Sequence, residues 1–295
     1  MTNEETTKLL QQTQLEILKD FQELCERHDL HYFASGGTAI GAIRHEGFIP
    51  WDDDIDICLL RDDYNKAIYY IKKELSDKYE VYDNHSMEGY VLVFSKMCKK
   101  GTRIQEDGGF DTCVPTGIFI DLFAYDKTTS DERKRRKQIR STWIWTRLIV
   151  LSEYKKPQFP KGLRGIKLNI AKLGCVIMHY ILRILHLKKE FFYKKYLKAA
   201  TKYNNSNEKL YTDFSYFAPE KLICTYDMIF PMKKAKFENI EISMLNNADK
   251  YLKSQFGDYM KIPPVKDRKT HNPKYVDFGN GKIYKRNNTS LIRFV

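Results

Sequence analysis

The sequence predicts an α+β fold: a mixed β-sheet flanked by helices in the N-terminal half, joined to a basic helical region in the C-terminal half. Three observations carry this. Apolar residues recur at helix and strand periods in alternating segments of residues 1–128. Charge is partitioned, with 14 Lys+Arg against 24 Asp+Glu in residues 1–128 and 36 against 14 in residues 129–295. Residues 31–64 concentrate a glycine pair, several aromatics and Asp52, Asp53, Asp54 and Asp56 in one stretch. With 295 residues, 42% hydrophobic and 30% charged, the chain can bury a large core and is too apolar to stay disordered. The expected division is a core at 1–128, a basic helical region at 129–242 that meets an acceptor or a membrane surface, and a segment at 243–295 that packs back on the core.

The elements follow in order. Residues 5–28 read as an amphipathic helix, because Leu10, Ile17, Leu18, Phe21, Leu24 and Cys25 recur at three- and four-residue spacings. "HYFA" is a short strand, "SGG" a turn, and 38–45 a short helix with Ala39, Ile40, Ala42 and Ile43 on its apolar side. Pro50 keeps Ile49 out of helical geometry, which makes "EGFIPW" a loop. "DIDICLL" reads as a strand, followed by a helix with Tyr64, Ala67, Ile68, Ile71 and Leu75 on one side. Further strands are expected at "YEVYD", "YVLVFSKMC" and "GIFIDLFAY". Beyond Asp131, residues 131–151 and 165–187 read as helices. Lys167, Lys172, His179, Arg183 and His186 speak against the second spanning a bilayer. It is expected either to be buried in a bundle or to lie on an anionic membrane face. "SMLNNADKYLKSQFG" reads as a helix capped by Gly257. The N-terminus is polar, without a signal-like apolar stretch, and the six cysteines form no C-x-x-C pair. A reducing cytoplasm is the expected setting, without disulfides or a zinc knuckle.

The aspartates raise a chemical question, since carboxylates on one strand face repel. In "DDDIDICLL", Asp52, Asp54 and Asp56 share one face while Ile55, Ile57 and Leu59 share the other. Such a set suits a hard divalent cation held against substrate phosphate. An EF-hand loop starting at Asp52 fails, because Ile57 and Asp63 stand where Gly and Glu are needed. Asp121, the one charge inside "GIFIDLFAY", is the expected third carboxylate, since a lone buried Asp is costly unless paired or metal-bound. Asp126 is the alternative, at a position suited to a turn. The glycines Gly36 and Gly37 let backbone N–H groups approach an anion at a helix N-terminus. A glycine turn, a D-x-D strand and a third acidic strand form the layout of a nucleotidyltransferase-like sheet.

Residues 32–64, "YFASGGTAIGAIRHEGFIPWDDDIDICLLRDDY", strongly resemble the signature of the LicD family, to which fukutin-related proteins belong. Cys58, Leu59 and Leu60 fall in its variable part. "FIDLFAYD" is similar to a second family segment, departing at Ala124 and Tyr125. "YLKSQFGDYMKIPP", followed by Arg268 and His271, is similar to a third. The resemblance covers roughly 10–126 and 243–271. It implies transfer of a phosphorylated alcohol, commonly phosphocholine, from a CDP-linked donor to a sugar of teichoic acid, lipopolysaccharide or a capsule precursor, with release of CMP. Glycerol phosphate or ribitol phosphate are variants of that chemistry.

On this basis Asp54, Asp56 and Asp121 are expected to hold Mg²⁺, or Mn²⁺ in its place, and to carry catalysis. Asp121 is the expected acceptor of the substrate hydroxyl's proton. Gly36, Gly37 and Thr38 would cradle phosphate. Arg44 or His45 would bind a phosphate oxygen or else face solvent. Trp51 would pack on a ligand or in the core, and Lys96 would meet the leaving phosphate or lie on an edge strand. Arg268 and His271 complete the candidate set, with Asp52 and Asp53 supporting it from outside. A choline donor implies an aromatic cage, and 20 Tyr and 17 Phe leave its members open. The acceptor is expected to be a glycan, free or lipid-linked, and the chain to sit in the cytoplasm or peripherally on the inner membrane face. A nucleotidyltransferase adding a nucleoside monophosphate to a small sugar or antibiotic is the rival enzyme. The acidic constellation argues against nucleic acid as a partner, despite a net charge of +12.

Overall fold

The structure, a computed structural model, describes residues 1–84, 87–106, 116–155, 157, 159, 162–268, 270 and 273–286. Helix α1 (Asn3–Arg27) opens on a capping box: the Glu5 N–H donates to Thr2 Oγ1, and the Thr2 N–H to Glu5 Oε2. Its inner face buries Leu10, Ile17, Leu18, Phe21 and Leu24 completely. Then come β1 (Tyr32–Ala34), α2 (Gly36–His45), β2 (Asp56–Leu60), α3 (Arg61–Glu74), β3 (Tyr79–Tyr82), β4 (Ser95–Lys99), β5 (Arg103–Gln105) and β6 (Phe119–Thr128). The basic region forms α4 (Glu132–Glu153), α5 (Gly165–Ile184) and α6 (Lys189–Ala200), followed by β7 (Leu210–Asp213), β8 (Cys224–Thr225) and a one-turn α7 (Tyr226–Ile229). A hairpin of β9 (Lys233–Phe237) and β10 (Ile240–Met244), then α8 (Ala248–Phe256), β11 (Tyr275–Asp277) and β12 (Ile283–Lys285), complete the described chain.

The main sheet is mixed, in the order β1-β2-β6-β4-β3, with β7 and β8 attached beyond β6. Strand β6 is long enough to serve two partners on one edge. Residues 119–122 pair antiparallel with β4, and residues 125–128 with β7, while β2 runs parallel along its other edge. The main core lies between this sheet and α1, α3, β10 and α8. A second core joins α4 and α6 to Val91, Val93 and Phe214, with Ile149, Val150, Phe192 and Tyr196 buried in it. The last strands return to the core: β11 pairs with β5, and the Tyr284 hydroxyl donates to Asn3 Oδ1.

Four sequence expectations need correction. Strand β2 begins at Asp56, so Asp52 and Asp54 precede it in an irregular segment rather than sharing its pleat. "YVLVF" is not strand, because its residues cover the second core. Ser243 and Met244 belong to β10, and the helix starts at Ala248, where Asn247 Oδ1 accepts the Lys250 N–H. Helix α5 is not buried in a bundle: among its residues only His179 and Leu182 are buried. Ile166, Ile170, Leu173, Ile177, Ile181 and Ile184 face outward, and by length and composition the helix could cross a membrane. The described cysteines 25, 58, 98, 175 and 224 are free thiols, and Cys113 lies outside the described residues.

Candidate active site

The site is built on strand register. In the parallel β2/β6 pair Asp56 stands opposite Asp121, and in the antiparallel β4/β6 pair Lys96 stands opposite Asp121. Three charged residues thus form one row across three adjacent strands. Asp54, two residues upstream of Asp56, reaches the same point: ligand oxygens of Asp54, Asp56 and Asp121 all lie within 4.8 Å of one another. Asp52 and Asp53 form a second such group with Asp54.

The aspartate segment is irregular, so neighbouring elements fix it. From α1, Gln11 Nε2 donates to the Ile49 and Asp52 carbonyls, and Gln14 Nε2 donates to the Asp53 carbonyl at 2.8 Å. From α2, Thr38 Oγ1 accepts the Asp56 N–H at 2.9 Å, and the Ser35 N–H donates to the Asp56 carbonyl. The glycines are explained by proximity. A Cβ on Gly36 would overlap Asp56 Oδ2, and one on Gly37 would overlap Asp52 Oδ2. Gly36 also has φ +54°, which costs an L-residue about 1–2 kcal/mol. Gly36→Ala is expected to lose that stability and to lower turnover by about 10²-fold by displacing Asp56. Thermal melting and turnover of the variant check this.

Lys96 is buried, with its ammonium 2.9 Å from Asp121 Oδ1 and 3.2 Å from the Phe119 ring centroid. It therefore stands on an inner strand, not a surface edge. The Asp121 contact is an ion pair without aligned hydrogen-bond geometry, and Oδ1 has no other partner among the described residues. Burial pushes the Asp121 carboxyl up to about 6; Lys96 opposes this, while Glu106 and Asp54 add to it. A buried oxygen with spare acceptor capacity, beside two more carboxylates, fits a hard divalent cation such as Mg²⁺ or Mn²⁺.

Asp52, Asp54 and Asp56 line a cleft of about 750 Å³, together with Ser35, Gly36, Gly37, Phe123, Tyr125, Tyr216, Phe217 and Phe256, while Asp121 lies behind them. Asp213 also lines it, and the sequence reading missed this residue. "LYTDFSYF" carried the same signal as Asp121, a lone acid within an aromatic strand. The Ser215 N–H and Oγ donate to Asp213 at 2.7 and 2.8 Å, yet burial prevails and pushes its carboxyl up to about 6. The native chain therefore holds a proton that an unfolded Asp releases near pH ~4. Its contribution to stability is present below pH ~4 and lost as pH rises to about 6. Asp213→Asn is expected to flatten that fall, which urea midpoints at several pH values would show.

The remaining candidates divide. Arg268 lines the cleft, with its guanidinium 4.0 Å from the Trp51 ring centroid, so Trp51 meets the site through this cation–π contact. Arg44 donates to the Tyr259 carbonyl at 2.5 Å and to His45 Nε2 at 2.9 Å. It anchors the segment after α8 instead of facing solvent. His45 packs edge-on to Trp51, and neither it nor Arg44 lines the cleft. Asp126 is not in a turn: it is buried within β6, where Arg61 grips it through two hydrogen bonds. His271 lies outside the described residues.

Residues 29–159 match the family model described as LicD/FKTN/FKRP, nucleotidyltransferase domain. The chain is 27% identical over 271 residues to the lipopolysaccharide cholinephosphotransferase LicD of Haemophilus influenzae, covering 88% of this chain and 92% of that one. An uncharacterised protein of Rickettsia prowazekii is 42% identical over 48 residues, 16% of this chain and 18% of its own. Near full-length similarity to a LicD enzyme, together with the family domain over the aspartate segment, supports the resemblance of this chain to the LicD family.

Proposed function

We propose that the chain transfers a phospho-alcohol, phosphocholine first among them, from a CDP-linked donor to a sugar hydroxyl of a cell-surface glycan, releasing CMP. The cluster of Asp54, Asp56 and Asp121 within 4.8 Å carries this reading, supported by similarity to a cholinephosphotransferase. The sheet fits a nucleotidyltransferase-like fold, with the carboxylates on adjacent strands. A divalent cation held by the three aspartates would neutralise charge on the transferring phosphoryl group and the leaving oxygen. Lys96 fixes the Asp121 carboxylate. The backbone of Gly36, Gly37 and Thr38 at the start of α2 faces donor phosphate. Arg268 offers a cation at the mouth, while Tyr216, Phe217 and Phe256 supply aromatic faces for a quaternary ammonium. Asp121 takes the acceptor proton, and Asp213, which lines the cleft, is the second group suited to it.

Incubating the chain and Mg²⁺ with CDP-choline, CDP-glycerol or CDP-ribitol and a glycan acceptor tests this. CMP release dependent on acceptor is expected, fastest with CDP-choline. Pyrophosphate release from a nucleoside triphosphate would instead favour nucleotidyl transfer.

The same reading places the chain in the cytoplasm, peripherally on the inner membrane face. Outward residues 166, 170, 173, 177, 181 and 184 of α5 follow helical spacing, and Lys167, Lys172 and Arg183 flank the stripe. Co-sedimentation with anionic phosphatidylglycerol vesicles is expected, and it should fall at least tenfold in Ile170→Asp/Ile177→Asp.

A further inference from the structure

A second cavity, of about 770 Å³, lies between α4, residues 91–94 and residues 214–220. Its floor is apolar, formed by Val91, Val93, Phe94, Val150 and Phe214. Its border carries an excess of positive charge, because Arg135, Arg136, Arg140 and Arg147 of α4 line it against Glu132 and Glu220. Residues 136, 140, 143 and 147 are spaced by four, three and four, so Trp143 stands in line with three arginines on one side of the helix. Trp143 is half exposed, with the Arg147 guanidinium 5.4 Å from its ring centroid.

The arginines are not equally committed. Arg135 donates to the Thr129 and Ser130 carbonyls, and Arg136 pairs with Glu132. Neither Arg140 nor Arg147 is ion-paired among the described residues. Desolvation draws the Arg147 guanidinium below its ordinary range, with no carboxylate opposing it. Two uncommitted guanidiniums over an apolar floor complement a molecule with an anionic head and an apolar chain.

The cavity also adjoins the carboxylate cleft. Tyr216 and Phe217 line both, with ring centroids 4.4 Å apart. We propose that this cavity binds an amphipathic anionic acceptor. Arg140 and Arg147 hold its phosphate-like group, the apolar floor holds its chain, and its hydroxyl reaches Asp54 and Asp56 in the cleft past Tyr216 and Phe217. The direction of approach rests on the transfer reading above; the binding does not.

The test titrates the full chain, without donor or metal, with dodecyl phosphate below its micelle concentration. Inorganic phosphate and dodecyl maltoside serve as controls. Dodecyl phosphate should bind at least about tenfold more tightly than either control. Arg140→Gln/Arg147→Gln should weaken it by about tenfold or more, and Trp143→Ala by a smaller factor. All three positions are exposed on α4, so the variants should fold. Equal affinity for inorganic phosphate would remove the apolar part of the proposal, and equal affinity for dodecyl maltoside the anionic part. Unchanged binding in the arginine variant, or loss in Ile170→Asp/Ile177→Asp instead, would overturn the site. Because no turnover is involved, these outcomes are separate from failure of CMP release.

Discussion

Asp56→Asn is expected to lower turnover by about 10²–10³-fold while leaving the chain folded. The side chain is half-buried at the cleft, and the backbone contacts to Thr38 and Ser35 that fix its place do not involve the carboxylate. Removing one negative charge would weaken the proposed binding of a cation between Asp54, Asp56 and Asp121, without opening a cavity in the core. CMP release at saturating Mg²⁺, with melting of the same preparation, checks both halves. Raising Mg²⁺ should restore part of the loss if the carboxylate acts through the ion. An Asp56→Asn chain with full turnover would sink the assignment.

Arg61→Ala is expected to have the largest effect on stability, a loss of about 3–5 kcal/mol. Arg61 Nε and Nη2 donate to Asp126 at 2.9 and 2.6 Å, and Asn204 Nδ2 donates to the same carboxylate at 2.8 Å. Burial works against the Arg61 charge, but Asp126 more than offsets it and holds the guanidinium above its ordinary range. Truncating Arg61 leaves Asp126, 1% exposed, without its cation in the sheet. Replacing both, as Arg61→Met/Asp126→Leu, should cost much less, because no buried charge then lacks a partner. Urea denaturation of the two variants separates the cases. This pair ties the start of α3 and the basic-region segment at Asn204 to the far half of β6, beyond the row of Asp56, Asp121 and Lys96.

Much of the site was legible because its chemistry is local. Asp54 and Asp56 stand two residues apart, Gly36 and Gly37 are adjacent, and Asp121 is the lone charge in an apolar strand. What the glycines serve was not legible. They were expected to open space for phosphate, whereas the structure shows them making room for Asp56 and Asp52, residues that only folding brings beside them. Arg44 looked like a phosphate ligand because it lies in the densest segment, yet its partner is a carbonyl 215 residues away. Asp213 escaped notice because its strand is short and its value comes from lying beside β6.

By itself, the sequence determined the acidic constellation, the helix–strand alternation of the first half, the split of charge between the halves and the family signature. These follow from periodicity and residue chemistry within short windows. Only the tertiary structure decided which charges meet. The register of three strands set Asp56, Asp121 and Lys96 in one row, whereas five residues further along the same strand Asp126 found Arg61 instead. The physical reason is that a buried carboxylate needs a cation, and which cation lies within reach depends on strand register.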